Sequence, residues 1–318
     1  MKRFMDSKEV RDEPGFIADQ PVSLDNYRGL VGWYALPPDA MRCCAVAPGK
    51  SHLCRTKHGR GWVARVEGGA LSVIGRDCAQ NTFAADSSIM ADIHRATAQI
   101  DRDEQLARLA GLLAQRETRM QEQQAALVGL EERRKRLSEL LQEVGDATRR
   151  AIEDRARTGR GTVDVTGTVP AKRDSDGEVI REAVAVPIRV GTLPEIRACN
   201  PDTMRQVGDA LRGLRKAYQA ASPEATEEST GAQRKLVAAL NDHDRVVGDA
   251  IALARQLDAF LSSDLRPLAF LVHGQRDRAD AARAALSRQG LADGPKQWIQ
   301  RAEAELCRAH SVSKIRIE

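Results

Sequence analysis

The chain is expected to be mainly α with small β elements, and three observations predict this. Leucines recur at alternating steps of three and four through the middle of the sequence, as in a helix that buries a seam. Charged residues make up 30% and aromatics 3%, a balance that suits extended helices better than one large globular core. The aromatics are also concentrated at the start: Phe4, Phe16, Tyr27, Trp33, Tyr34, Trp62 and Phe83 all precede residue 84. The expected architecture is an N-terminal zinc-binding β-hairpin module, a long antiparallel helical or coiled-coil arm with a β-hairpin at its tip, and C-terminal helices. The corresponding divisions are 1–100, then 101–265 interrupted by a hairpin at 161–191, then 266–318 ending in a strand.

In chain order, residues 1–40 suggest irregular structure leading to an aromatic patch from Tyr27 to Tyr34. The stretch 43–78 follows and holds four of the six cysteines and two of the six histidines. Cys54 and His58, three residues apart, can reach one ion. Two short strand-like runs, 62–66 and 70–74, are joined by Glu67-Gly68-Gly69, a glycine-bearing hairpin connection. If the turn centres on Gly68, residues whose numbers sum to 136 face each other, so His58 meets Cys78. With Cys44 or its neighbour Cys43 as the fourth donor, the set Cys44, Cys54, His58 and Cys78 has the composition that holds structural Zn2+ tetrahedrally. His52 is a competing ligand, and buried thiols or a disulfide are the plain alternatives.

From 41 to 66 there are six basic residues, Arg42, Lys50, Arg55, Lys57, Arg60 and Arg65, and no acidic one. Trp62 lies among them. Basic groups beside an aromatic are what phosphate contact and base stacking require. The competing reading is that they offset thiolate charge at a metal. Gly49-Lys50-Ser51 imitates the end of a phosphate-binding loop, but that motif needs a glycine where Cys44 stands, so nucleotide hydrolysis is excluded.

Beyond Cys78, Asp86-Ser87-Ser88 is a helix N-cap followed by Ile89, Ile93, Ala96 and Ile100 at helical spacing. The order His58, Asn81, His94 resembles that of the HNH class of ββα metal nucleases. Here, however, His58 precedes the first strand and the Asn81–His94 interval is long for the motif. The next seam starts at Leu106 and continues through Leu109, Leu113, Met120, Leu127, Leu130, Leu137, Leu141 and Val144. It predicts one helix over 104–157, roughly 80 Å long, with a break at Asp101-Arg102-Asp103. Alternating valines over 161–191 predict a β-hairpin with a basic tip. Asn200-Pro201 starts a returning helix, and a further seam runs from Leu236 to Leu261 with His243 as a polar member that sets register.

The formal net charge of +4 is too small to imply nucleic acid by itself. The uneven cysteine spacing does not suit a secreted disulfide framework, and the first residues carry no signal-peptide pattern. A soluble, cytoplasmic protein is therefore expected, without membrane contact or a small-molecule substrate. The preferred function is a non-catalytic zinc-module and coiled-coil interaction protein, with nucleic acid as a possible partner. A protein partner or homodimerisation is expected through the helical arm. The alternatives are a structural subunit or protein adaptor that binds no nucleic acid, and an HNH-like metal-dependent nuclease.

Overall fold

The computed structural model describes residues 1–222 and 229–317. More than half of the chain is helical, with small sheets. It divides into two compact units, Met1–Arg108 and Leu109–Glu318. Among the described residues no helix is long and apolar enough to cross a membrane.

In chain order the first unit carries β1 (Lys2–Phe4), α1 (Ser7–Arg11), β2 (Tyr27–Ala35), β3 (Met41–Arg42), β4 (Lys57–His58), β5 (Arg60–Val66), β6 (Leu71–Gly75), α2 (Arg76–Thr82) and the start of α3 (Ser88–Ala114). Four strands form one sheet in the order β1-β2-β5-β6, with β1 parallel to β2 and the remaining pairs antiparallel. Residues 1–40 are thus more ordered than their composition suggested, because β2 supplies a nine-residue strand at the sheet's centre. β6 is buried throughout, as expected of a strand covered on both faces. The β5–β6 connection passes through Gly68 and Gly69 at φ +77° and +85°, a region glycine enters without steric cost. The resulting register sets Gly61 opposite Gly75 and Trp62 opposite Ile74. The first turns of α3 bury Ile89, Met90 and Ile93 in the same core, and the Tyr27 hydroxyl donates to Asp92 Oδ2 at 2.7 Å, tying β2 to the helix.

The second unit continues with α4 (Arg116–Glu143), α5 (Gly145–Thr158), β7 (Thr162–Val169), β8 (Lys172–Arg173), β9 (Val179–Arg181), β10 (Val184–Thr192), α6 (Pro201–Ala220), α7 (Thr230–Asn241), α8 (His243–Leu261), α9 (Gln275–Arg288), α10 (Pro295–His310) and β11 (Lys314–Arg316). The seam expected as one helix over 104–157 is instead three helices. It is interrupted at Gln115 and again at Val144, where Gly145 takes φ +80°. The break expected at 101–103 does not occur, and α3 runs straight through it.

Two side chains of α4 reach α6, Arg116 to the Tyr218 carbonyl at 3.0 Å and Gln123 to the Leu211 carbonyl at 3.1 Å, so these helices run antiparallel. The pairs Arg119–Asp244 and Arg133–Asp258 ascend together, so α4 and α8 run parallel. Three helices therefore close around Leu130, Leu137, Leu211, Ala250 and Leu257. His243 is buried where they meet, held by the Tyr218 hydroxyl at Nδ1 (2.9 Å) and Glu122 at Nε2 (3.0 Å), a polar contact that fixes register.

β7 pairs with β10 on one side and with β11 on the other. Val312 and Ile317 lie in the same core as Val163 and Ile188. Residues 266–318, expected as a separate segment, are thereby built into the second unit.

Candidate metal centre and the basic surface around it

Extended backbone leads into the site. Cys43 N–H donates to the Thr56 carbonyl and Arg55 N–H to the Cys43 carbonyl, so the β3–β4 contact ends in a bulge with Arg55 and Thr56 both opposite Cys43. The Cys54 N–H donates to the Ala45 carbonyl, so the loop 46–53 returns its end to the place where it left. Cys78 comes from α2, directly after β6. These three elements bring the sulfurs of Cys43, Cys54 and Cys78 within 4.8 Å of one another. Cys54 Sγ and Cys78 Sγ are 3.5 Å apart, too far for a disulfide, and all six cysteines are free.

The arrangement suits an ion. A metal bound tetrahedrally with Zn–S bonds of about 2.3 Å spaces its sulfurs about 3.8 Å apart, inside the range seen here. Cys43 Sγ also accepts the backbone N–H groups of Ala45 and Gly75, each at 3.4 Å. Such donors stabilise a thiolate and orient it toward a cation. Burial raises the thiols of both Cys43 and Cys78 and the Cys54 sulfur adds to it, so both stay protonated until a cation displaces their protons. Burial also raises the Cys54 thiol, but hydrogen bonds from the Thr56 side chain and backbone outweigh it and leave Cys54 below its ordinary value.

The gathered set differs from the expected Cys44, Cys54, His58 and Cys78 at two positions. Cys43 stands where Cys44 was favoured. Successive side chains of an extended chain point to opposite sides. The Cys44 thiol faces the Arg42 carbonyl at 3.7 Å, while its N–H is bonded to the Val73 carbonyl of β6.

His58 lies outside the three-sulfur group because both ring nitrogens are engaged, Nε2 with the Tyr34 hydroxyl at 2.7 Å and Nδ1 with the Thr56 carbonyl at 3.2 Å. These partners assign the proton to Nδ1, with Tyr34 donating to Nε2. Burial lowers the imidazole pKa and keeps it neutral. Two facing glycines make room for the pair: a Cβ on Gly61 would sit 2.6 Å from the Tyr34 hydroxyl, and one on Gly75 would sit 3.0 Å from the His58 ring.

The basic residues of 41–66 are distributed over β3, β4, β5 and the loop between β3 and β4, with Arg65 at the end of β5 away from Gly75. Arg42, Lys50, Arg55, Lys57, Arg60 and Arg65 are all exposed, and among the described residues none forms an ion pair. Arg42 and Lys57 are directly opposite across β3 and β4. Trp62, which base stacking would require to be accessible, is only 6% exposed, because β5 is covered on both faces. Its cross-strand partner Trp33 is the more accessible ring, and Arg3 stacks on it at 4.9 Å. Neither Arg3 nor Trp33 carried a local motif, and only strand pairing brings them here. Asn81 and His94 are exposed on α2 and α3, and the three cysteines are the one group of His, Cys, Asp or Glu among the described residues that could hold a metal.

The chain matches no protein-family profile, no curated protein and no solved structure.

Proposed function

We propose that the N-terminal unit is a non-catalytic module, stapled by one Zn2+ on Cys43, Cys54 and Cys78, that contacts nucleic acid through the basic side chains of 41–66. Zinc suits a set of three thiolates placed on strand-like backbone and a helix with backbone N–H support. Water or an incoming donor completes the coordination, since His58 is committed to Tyr34. The carrying observation for the partner is the set of six exposed cations at 41–66 without an ion-pair partner among the described residues. Charges left unpaired in an acid-free stretch are available to phosphates.

The test is fluorescence anisotropy of the metal-loaded protein with labelled DNA and RNA across a salt series. Binding should fall steeply with salt and weaken when Arg42, Arg55, Lys57 and Arg60 are changed to Ala. Absence of binding at low salt refutes the reading.

A protein-adaptor role has one observation in its favour. Between α4 and α8 runs a groove of small and apolar side chains, Ala125, Ala126, Gly129, Val247 and Ala254, with Ile251 exposed at 41% and the charged Glu122, Arg133, Arg255 and Asp258 also in its lining. Exposed apolar surface of this kind marks contact sites. Light scattering would show whether the chain self-associates.

A further inference from the structure

The first unit contains a cleft of about 390 Å³ between the sheet and the later turns of α3. Strand register builds one wall. Arg3 of β1 is opposite Trp33 of β2, and Trp33 is opposite Trp62 of β5, so an arginine and two indoles stand in one row across three strands. Arg60 and Arg76 complete that wall, and Asp101 and Glu104 of α3 form the other.

Two features of the cleft call for a ligand. The Trp62 indole N–H is buried and has no hydrogen-bond partner. Buried donors are satisfied almost without exception, so an unmatched one on a residue that lines a cavity calls for an acceptor, supplied by a water or by a ligand atom that reaches past the cleft wall. Arg3, Arg60 and Arg76 are exposed, and among the described residues none of them is in an ion pair. Three guanidinium groups, an unmatched N–H donor and an accessible indole suit a phosphate joined to a planar ring.

We propose that this cleft binds one unpaired nucleotide of a single-stranded nucleic acid. The phosphate lies against Arg60 and Arg76, the Trp62 N–H donates to an acceptor oxygen or ring nitrogen of the same nucleotide, and the base packs against the Trp33 ring and the Arg3 guanidinium stacked on it. The Glu104 carboxylate on the α3 wall accepts a base N–H group, and the acidic wall keeps a second phosphate out. The proposal rests on the nucleic-acid reading above and narrows it, because a cleft of this volume holds one nucleotide and no duplex.

The experiment compares a short labelled single strand with the corresponding duplex by anisotropy, using the metal-loaded full chain and two variants. The Arg3→Ala/Arg76→Ala pair lies outside the 41–66 stretch, and Trp62→Phe removes only the N–H donor and part of the ring. Metal content and thermal melting confirm that each variant is folded. Single-strand affinity should drop about tenfold in the arginine pair, with a shallower salt slope, and a few-fold in Trp62→Phe, while duplex binding changes little. Single-strand binding that survives both variants unchanged overturns the cleft and leaves broader nucleic-acid contact standing. If neither nucleic acid binds at low salt, both readings fall.

Discussion

The second unit and the 41–66 stretch of the first manage charge in opposite ways. In the second, arginines repeatedly reach an aspartate three residues earlier on the same helix: Arg149 to Asp146, Arg157 to Asp154, Arg205 to Asp202, Arg212 to Asp209, Arg245 to Asp242 and Arg283 to Asp280. Each such pair is worth only a few tenths of a kcal/mol, but together they neutralise helix faces locally. The acid-free stretch 41–66 of the first unit has no such partners within it. The units also differ in what holds them together. The second buries long leucine seams, whereas the first has a four-stranded sheet and a cluster of three sulfurs, one buried and two partly open, that suits a cation. The first unit should therefore depend on metal and interact through charge, and the second should depend on neither.

The largest effect expected from this contrast is metal removal. Chelation, or Cys43→Ser, should melt the first unit with a loss of several kcal/mol, because binding free energy at a structural site is folding free energy. The helical signal of the second unit should persist, giving two separate transitions by circular dichroism and metal analysis. Cys44→Ala should keep the metal, since its thiol faces the Arg42 carbonyl. One cooperative transition, insensitive to chelator, would break the contrast.

The reciprocal test is Leu130→Ala. Leu130 is fully buried in the second unit's core, and truncating such a leucine costs about 2–5 kcal/mol. The second transition should shift down while metal content stays constant.

How far the chain was legible depended on the range of the determining contact. The β5–β6 register was readable because alternation and a glycine turn are local, and Trp62 does stand opposite Ile74. Helix starts were legible for the same reason: the Asn200 side chain accepts the Asp202 N–H with Pro201 following, and Ser87 caps α3. Continuity was not legible. The seam 106–151 keeps its period across Gln115 and Val144, so spacing alone could not locate the interruptions. The partners of α4 are set by contacts such as Arg133–Asp258, which no local pattern announces.

At the site, Cys54 and Cys78 were recoverable from spacing, whereas the choice between Cys43 and Cys44 turned on which face of one extended segment met β6. The expected pairing of His58 with Cys78 does not form, because the β5–β6 ladder ends at Gly61–Gly75, His58 of β4 pairs with Met41 of β3 and Cys78 sits in α2, and Tyr34 occupies the nitrogen that a ligand would need.

A smaller effect separates that histidine from the metal. Gly75→Ala would place a Cβ 3.0 Å from the His58 ring, and overpacking of this kind costs about 1–3 kcal/mol. The first transition should shift down. His58→Gln should also destabilise the first unit while leaving one metal per chain and all three thiols protected from alkylation. Loss of metal in His58→Gln would make the histidine a ligand and restore the four-residue set expected from spacing.

The smallest effect lies in the second unit and concerns pH. Asp264 accepts the Arg266 backbone N–H at 3.0 Å, its guanidinium at 2.7 Å and the Gln289 amide at 3.0 Å. Burial pushes its carboxyl pKa up, but these hydrogen bonds outweigh burial and hold the group below its ordinary value. A carboxylate depressed in the folded state adds stability above its unfolded pKa of about 3.9, and that stability is lost as pH falls through the folded value. Because Asp264 and Arg266 are both nearly half exposed, solvent screening reduces the gain to a few tenths of a kcal/mol. Asp264→Asn should therefore lower the second transition slightly at neutral pH and not at all near pH 2, leaving the first transition unmoved. An equal shift at both pH values would assign the effect to packing rather than charge.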